Sequence, residues 1–189
     1  MRKIFCYSLF MICLFTLAPS ANSQETKLKQ TLEYERIGAA ALQQLGGDWT
    51  SVSARCQIYF RPGRPGYLGA ADPKTNQVDI WIRPGQTPAQ VEAIIAHELA
   101  HIFDYLYLTP EQREQWYAIR NIPRENPWYP VCNMCSDYRF GAGDFAESVS
   151  WTFQGKFAKF SSKLGRPPTA EQQVLIRSWF AAAAQTAKE

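Results

Sequence analysis

A chain of 189 residues, 46% of them hydrophobic, is long enough to enclose one sizeable core and short for two domains. Its formal charge is +3, and subtracting the two cations Arg2 and Lys3 near its start leaves +1. So small an excess excludes the broad basic surface that is typical of nucleic-acid-binding proteins and of proteins that lie on anionic membranes. We therefore expect a single domain and no nucleic-acid partner.

The first 23 residues have the order of a secretory signal peptide. Arg2 and Lys3 precede an apolar run over residues 4–18, and small residues lie around Ser23. The run is short for a membrane span, which needs about twenty residues, although an uncleaved anchor is the alternative. We predict cleavage after Ser23, export of residues 24–189 to the periplasm or the exterior, and no stable membrane association afterwards.

Three cysteines follow the predicted leader, in a chain expected to reach an oxidising compartment. Cys132 and Cys135 are three positions apart, and no second pair of this kind is present to complete a four-cysteine zinc site. We predict a disulfide between them, in preference to half of a zinc knuckle or a redox pair. Cys56 lies in an apolar alternation, so it is expected to be a buried free thiol.

The elements before residue 88 are predicted from apolar periodicity. An amphipathic helix is expected over residues 25–45, followed by a half-buried strand over residues 55–60. Residues 67–71 and 77–83 flank a turn-rich segment, which indicates a β-hairpin in a small antiparallel sheet. The second arm alternates more clearly, and it is a candidate edge strand against which an extended peptide docks.

A helix that begins at about Pro88 has the clearest signals in the chain. Thr87 to Gln90 supply an N-cap, a proline at the first helical position and a capping-box glutamine. His97, His101 and Asp104 project from a different side than the apolar residues, so we expect them to face a cleft. An apolar stripe at helical spacing is expected to face the core: Val91, Ile94, Ile95, Leu99, Ile102 and Leu106.

His97 and His101, the only histidines, belong to the HExxH zinc signature His97-Glu98-Leu99-Ala100-His101. Histidines four positions apart in a helix lie on one face, so both imidazoles can bind one ion. A structural helix whose histidines only form hydrogen bonds is the alternative. A catalytic zinc site usually takes three protein ligands, and the third here must be a carboxylate or a cysteine.

Three further helices and a long loop are predicted after the signature. A second capping pattern starting at Thr109 opens a helix to about Arg120. Residues 121–143 form an aromatic loop whose length is typical of a functional segment, and we expect an ordered flap. Helices are then expected over residues 144–160 and 169–186.

The signature, taken with Phe145-Ala146-Glu147, resembles the gluzincin type of zinc metallopeptidase, and most closely the anthrax lethal factor-like catalytic domain family. The resemblance implies an α+β, zincin-like domain with several helices around the HExxH active-site helix. It also implies His97, His101 and Glu147 as zinc ligands and Glu98 as catalytic base. Glu147 has an alternative role as a capping-box residue, and the reserve ligands are then Asp144, Asp137 and Asp104.

Two positions depart from the patterns of these families. Phe140 stands where the resembled family has a catalytic tyrosine, so Tyr138 is the first candidate for the oxyanion donor and Arg139 the second. Trp151 stands where thermolysin-like enzymes have an aspartate that orients a ligand histidine. Asp104 is the candidate for that support.

The sequence therefore predicts a secreted Zn²⁺-dependent endopeptidase that acts on protein or peptide substrates. A zinc-activated water would attack the scissile carbonyl, with Glu98 as the general base. Two alternatives stay open: a non-catalytic secreted binding module that keeps the fold, and a zinc hydrolase that acts on non-peptide bonds.

Overall fold

The computed structural model describes residues 21–46, 49–132, 135–155 and 160–186. Most of the predicted leader, residues 1–20, lies outside these ranges. The described residues form an α+β arrangement of six helices and one three-stranded sheet. The helices are α1 (Ala21–Gln44), α2 (Thr50–Ser53), α3 (Pro88–Tyr107), α4 (Pro110–Arg120), α5 (Gly141–Gln154) and α6 (Ala170–Thr186). The strands are β1 (Gln57–Pro62), β2 (Gly69–Asp72) and β3 (Gln77–Ile82).

The sheet has the order β1-β3-β2 and is mixed. The antiparallel hairpin of β2 and β3 confirms the prediction, with Ala70 opposite Asp79. The expectation of a wholly antiparallel sheet is wrong, because β1 pairs with β3 in parallel, with Phe60 opposite Ile80. Parallel neighbours need a crossover connection, and β2 with its flanking loops supplies it. The expectation that β3 is a docking edge is also wrong, since β3 is the central strand.

Helix α3 belongs to one hydrophobic cluster that joins the sheet to α1, α5 and α6. Val78, Ile80 and Ile82 of β3 are fully buried, and they belong to the same hydrophobic cluster as the apolar stripe of α3. The predicted stripe is buried except for Leu106, which is 37% exposed near the helix end. Burying one leucine or isoleucine side chain stabilises the fold by about 1.5–3 kcal/mol. The apolar stripe therefore determines which face of α3 points toward the core and which points away from it.

Helix α5 packs against α3 through small side chains. Ala96, Ala100 and Ala146 are completely buried, and the Ser150 hydroxyl donates a hydrogen bond to the Ala93 carbonyl at 2.8 Å. This close approach brings α5 beside the histidines. The predicted bounds of 144–160 are wrong, because α5 begins at Gly141 and ends at Gln154. Gly155 follows with φ of 77°, a conformation that stops a helix.

Both capping boxes predicted from the sequence are present. Thr87 and Gln90 cap α3 reciprocally, and Thr109 and Gln112 do the same for α4. Cys132 and Cys135 are bonded to each other, as predicted, with Cα atoms 5.4 Å apart. Cys56 is free but only half-buried, just before β1 begins. Within the described ranges, no helix has the length and apolarity that a membrane crossing requires.

Candidate metal centre

Helix α3 presents His97 and His101 to the same point in space. Their rings are one helical turn apart, with centroids separated by 5.0 Å. Both Nε2 atoms face the carboxylate of Asp137, whose Oδ2 lies 3.4 Å from His97 and 3.0 Å from His101. One ligand atom from each of the three side chains lies within 4.8 Å of the others. This group can therefore bind one metal ion.

Asp137 reaches the histidines from a short 3-10 turn, Asp137–Arg139, that immediately precedes α5. Its main chain lies directly on Gly143, where an added Cβ would overlap the Asp137 carbonyl oxygen. The Phe140 amide donates to that carbonyl at 2.8 Å. Only glycine permits this approach, so the residue at position 143 determines where the Asp137 carboxylate stands.

Glu147 contacts the opposite nitrogen of His97. Its Oε2 lies 3.1 Å from His97 Nδ1, and its Oε1 accepts a hydrogen bond from the Ser161 amide at 2.6 Å. The structure thus places Asp137, and not Glu147, at the two Nε2 atoms. The capping-box alternative is wrong as well, because the N-cap of α5 is Phe140 and Glu147 lies in the middle of the helix.

Asp144, another reserve ligand, is completely buried away from the histidines. Its Oδ2 accepts hydrogen bonds from Arg120 Nε at 2.9 Å and from Trp116 Nε1 at 3.1 Å. Its Oδ1 accepts from the Ser162 hydroxyl at 2.6 Å. Asp144 therefore joins α4, α5 and the segment that follows α5.

Asp104 is also buried and also paired with an arginine. It accepts hydrogen bonds from Arg113 Nε at 3.0 Å and from Trp128 Nε1 at 2.9 Å. Arg113 also donates to the Tyr129 hydroxyl at 2.8 Å. The carboxylate thus fastens the aromatic loop to α3. Neither Asp104 nor Asp144 belongs to the group around the two histidines.

Glu98 lies in the same cleft as the histidines and is only 7% exposed. Across from it, β2 contributes Gly69, where a Cβ would overlap the Glu98 carboxylate. A side chain at position 69 would therefore displace the Glu98 carboxylate from the position that it has here. Burial raises the pKa of Glu98, and this effect is larger than the lowering caused by the charges of the two histidines.

Tyr138 stands next to His97, with the two rings edge to face and their centroids 5.7 Å apart. Its pKa is raised by burial and by the negative charges of Glu147 and Asp137. The phenol therefore keeps its proton and can donate a hydrogen bond into the cleft. Arg139, the second candidate donor, is exposed and does not line the described cleft.

No protein-family model, curated protein or solved structure matches this chain. The likeness to gluzincins therefore rests on the HExxH signature and on Phe145-Ala146-Glu147 alone.

The electrostatics of the group couple His97 to two carboxylates. Burial lowers the pKa of His97, but hydrogen bonds to Asp137 and Glu147 outweigh it and raise the value to about 10. Burial alone would raise the pKa of Asp137. The hydrogen bonds from His101 and His97 have the larger combined effect, so the pKa of Asp137 is lowered. A metal ion would displace the Nε2 proton, so metal binding must release protons.

The group opens into a cleft of about 900 Å³. One wall is formed by residues 66–71, which include most of β2, and the other by Tyr105, Tyr129 and the turn that carries Asp137. A smaller cavity of about 290 Å³ adjoins it and shares His97, Glu98 and Tyr138. The lining of this smaller cavity also includes apolar side chains: Leu68, Ala93, Ile94 and Trp151.

Proposed function

We propose that this protein is a secreted zinc-dependent endopeptidase with a zincin-like domain. The observation that carries the proposal is the convergence of His97 Nε2, His101 Nε2 and the Asp137 carboxylate, with Glu98 in the same cleft. A structural metal site is normally closed by protein ligands, whereas this one opens into a space of about 900 Å³. An open position beside a buried carboxylate is what hydrolysis by a metal-activated water requires.

The donor set fits zinc. Two imidazole nitrogens and one carboxylate oxygen are the protein ligands of many catalytic zinc sites, and they leave the fourth position for water or substrate. We assign Asp137 as the third ligand because it faces both Nε2 atoms. Glu147 then takes the role of positioning His97, since a carboxylate on Nδ1 holds the proton there and leaves Nε2 for the metal.

Bound zinc would supply a Lewis acid that polarises the scissile carbonyl and makes water acidic enough to react near neutral pH. Glu98 accepts a proton from the attacking water and passes it to the leaving amine. Its buried position raises its pKa, which makes the carboxylate a stronger base than an exposed glutamate. Tyr138 donates a hydrogen bond to the developing oxyanion.

The shape of the site supports a peptide substrate. Strand β2 is an edge strand whose Gly69, Ala70 and Ala71 line the cleft, and its free main-chain groups can pair with an extended peptide. The adjoining apolar cavity of about 290 Å³ has room for one side chain next to the scissile bond. Export is supported by the sequence of the leader and by the Cys132–Cys135 disulfide.

The test is the substitution Glu98→Gln, with Glu92→Gln as the matched control. Both glutamates are buried on α3, but only Glu98 lines the cleft. Hydrolysis of a fluorogenic peptide library by Glu98→Gln should fall by a factor of about 10²–10⁴, whereas its zinc content should remain that of the wild type. Glu92→Gln should keep both.

Wild-type hydrolysis by Glu98→Gln would refute the role of Glu98. Wild-type protein that binds zinc and cleaves no peptide would select the binding module instead. Turnover restricted to ester or amide substrates without a peptide chain would select the non-peptide hydrolase.

A further inference from the structure

Arg83 extends from the end of β3 into the wall of the cleft. Its Nη2 donates a hydrogen bond to the Tyr67 carbonyl at 3.3 Å. A Cβ at Gly63 would lie 2.9 Å from Arg83 Cγ, so the neighbouring loop packs closely on the stem of the side chain. The hydrogen bond and the packing of the stem therefore restrict the Arg83 side chain, although the residue as a whole is exposed.

Arg64 contacts the ring of the same Tyr67. Its guanidinium carbon is 4.3 Å from the centroid of the Tyr67 ring and 5.4 Å from that of Trp81. In the part of the chain that the structure describes, neither Arg64 nor Arg83 forms a salt bridge. Arg61, three residues earlier in β1, is different because it pairs with Asp79 at 2.5 Å.

The charges in the cleft leave Arg83 available to a ligand. The acidic side chains in the described lining are Glu98, Asp104 and Asp137, of which Asp104 is already paired with Arg113. The other two belong to the metal centre. Among the described lining residues, Arg83 is the sole lysine or arginine.

We propose that Arg83 is a subsite for a carboxylate of the substrate, and that Arg64, which also contacts Tyr67, adds a second positive charge. The inference rests on the proposed peptidase function and names the substrate class: peptides with an aspartate or glutamate side chain near the scissile bond, or with a free C-terminal carboxylate there. A guanidinium binds a carboxylate through two parallel hydrogen bonds, and one that is already oriented loses little freedom on binding. The positive charges of Arg83 and Arg64 also attract anionic peptides during encounter.

The probes are three fluorescein-labelled peptide pools that differ at the central position and the C-terminus and have, at every other position, the same equimolar mixture of residues without aspartate and glutamate. One pool has a fixed central glutamate and an amidated C-terminus, the second has glutamine in that place, and the third has glutamine with a free C-terminus. Hydrolysis gives kcat/KM for each pool, and fluorescence anisotropy with Glu98→Gln protein gives Kd without turnover. Ionic strength is kept constant because exposed charge pairs are screened by salt.

We expect the wild type to prefer the glutamate pool, or the free C-terminus pool, over the amidated glutamine pool. Arg83→Gln should lower kcat/KM for the preferred pool by about tenfold, mainly through KM, and leave the glutamine pool unchanged. Arg64→Gln should have a smaller effect in the same direction. Arg61→Gln, in the neighbouring strand β1, is the matched control and should preserve the preference.

The result that overturns the subsite is a wild type without preference among the pools, or a preference that Arg83→Gln leaves intact. Failure of the peptidase function has a different outcome. No pool would then be hydrolysed, and the anisotropy measurement would decide the subsite alone. Tighter binding of a carboxylate pool that is lost on Arg83→Gln supports the subsite, and equal binding of all pools refutes it.

Discussion

The four acidic residues that the sequence offers as a third ligand fall into two groups that differ in their partners. Asp104 and Asp144 each accept hydrogen bonds from an arginine and from a tryptophan. Asp137 and Glu147 face histidines instead. The first group joins elements of the fold, and the second surrounds the point where a metal ion can bind.

The difference follows from the chemistry of the cations. Arginine is always protonated, so a buried arginine and carboxylate form a permanent pair. Histidine can lose its proton and bind a metal through the same nitrogen. A buried carboxylate matched by arginine is therefore satisfied, whereas one matched only by histidine is available for chemistry. In this chain the comparison separates four acidic residues that the sequence alone left as candidates for one role.

The largest effect on stability is expected for Asp144→Ala. This change leaves Arg120, whose side chain is 1% exposed, without its carboxylate. Breaking such a buried pair by removing one partner costs about 3–5 kcal/mol of unfolding free energy. Urea denaturation should measure this loss, and the folded fraction should keep the wild-type zinc content.

A matched control on the surface is Glu114→Ala. Glu114 pairs with Arg124 at 3.5 Å, and both side chains are exposed. The expected loss is below about 1 kcal/mol, since exposed ion pairs contribute little. The comparison of the two carboxylate groups would break if Asp144→Ala were as mild as this control, or if it removed zinc from folded protein.

A smaller effect is expected from removing the disulfide, which precedes Asp137 by two residues. The double variant Cys132→Ser, Cys135→Ser should lose about 2 kcal/mol of unfolding free energy, the amount that the chain-entropy account gives for so short a loop. Zinc affinity should also fall, because the disulfide then no longer constrains the chain just before the 3-10 turn that carries Asp137.

Asp144→Ala, compared at equal folded fraction, should leave zinc affinity unchanged. Equal weakening of zinc binding in the disulfide variant and in Asp144→Ala would show that the disulfide has no specific effect on the position of Asp137.

Thiol counting on denatured mature protein should find one free thiol in the wild type, that of Cys56. Three free thiols would contradict the bridge.

Local signals in the sequence were enough to predict several helices and the β-hairpin. Proline and threonine at the starts of α3 and α4 determine those helices through capping, and the hairpin of β2 and β3 follows from alternation around a turn. The HExxH spacing predicts that His97 and His101 share one face of α3, and both line the cleft. These features depend on residues within a few positions of one another.

Features that depend on distant contacts were not predictable in this way. Alternation determines which face of β1 is buried but not which strand lies beside it, so its parallel pairing was missed. The start of α5 at Gly141 depends on its packing, because Gly141 adjoins Trp128 and Gly143 adjoins Asp137. Asp137 was one reserve ligand among three for the same reason. Its one local signal is the Gly141-Ala142-Gly143 segment, which allows the turn to approach.

The central claim is that Asp137 completes the metal centre and Glu147 orients His97. Zinc content per folded chain, measured after dialysis against buffered zinc, tests it most directly in three variants. We predict one zinc in the wild type, almost none in Asp137→Ala or in the control His101→Ala, and an affinity that is reduced by about 10–100-fold but can still be saturated in Glu147→Gln. Full zinc in Asp137→Ala together with loss of zinc in Glu147→Gln would contradict the claim and give the third position to Glu147.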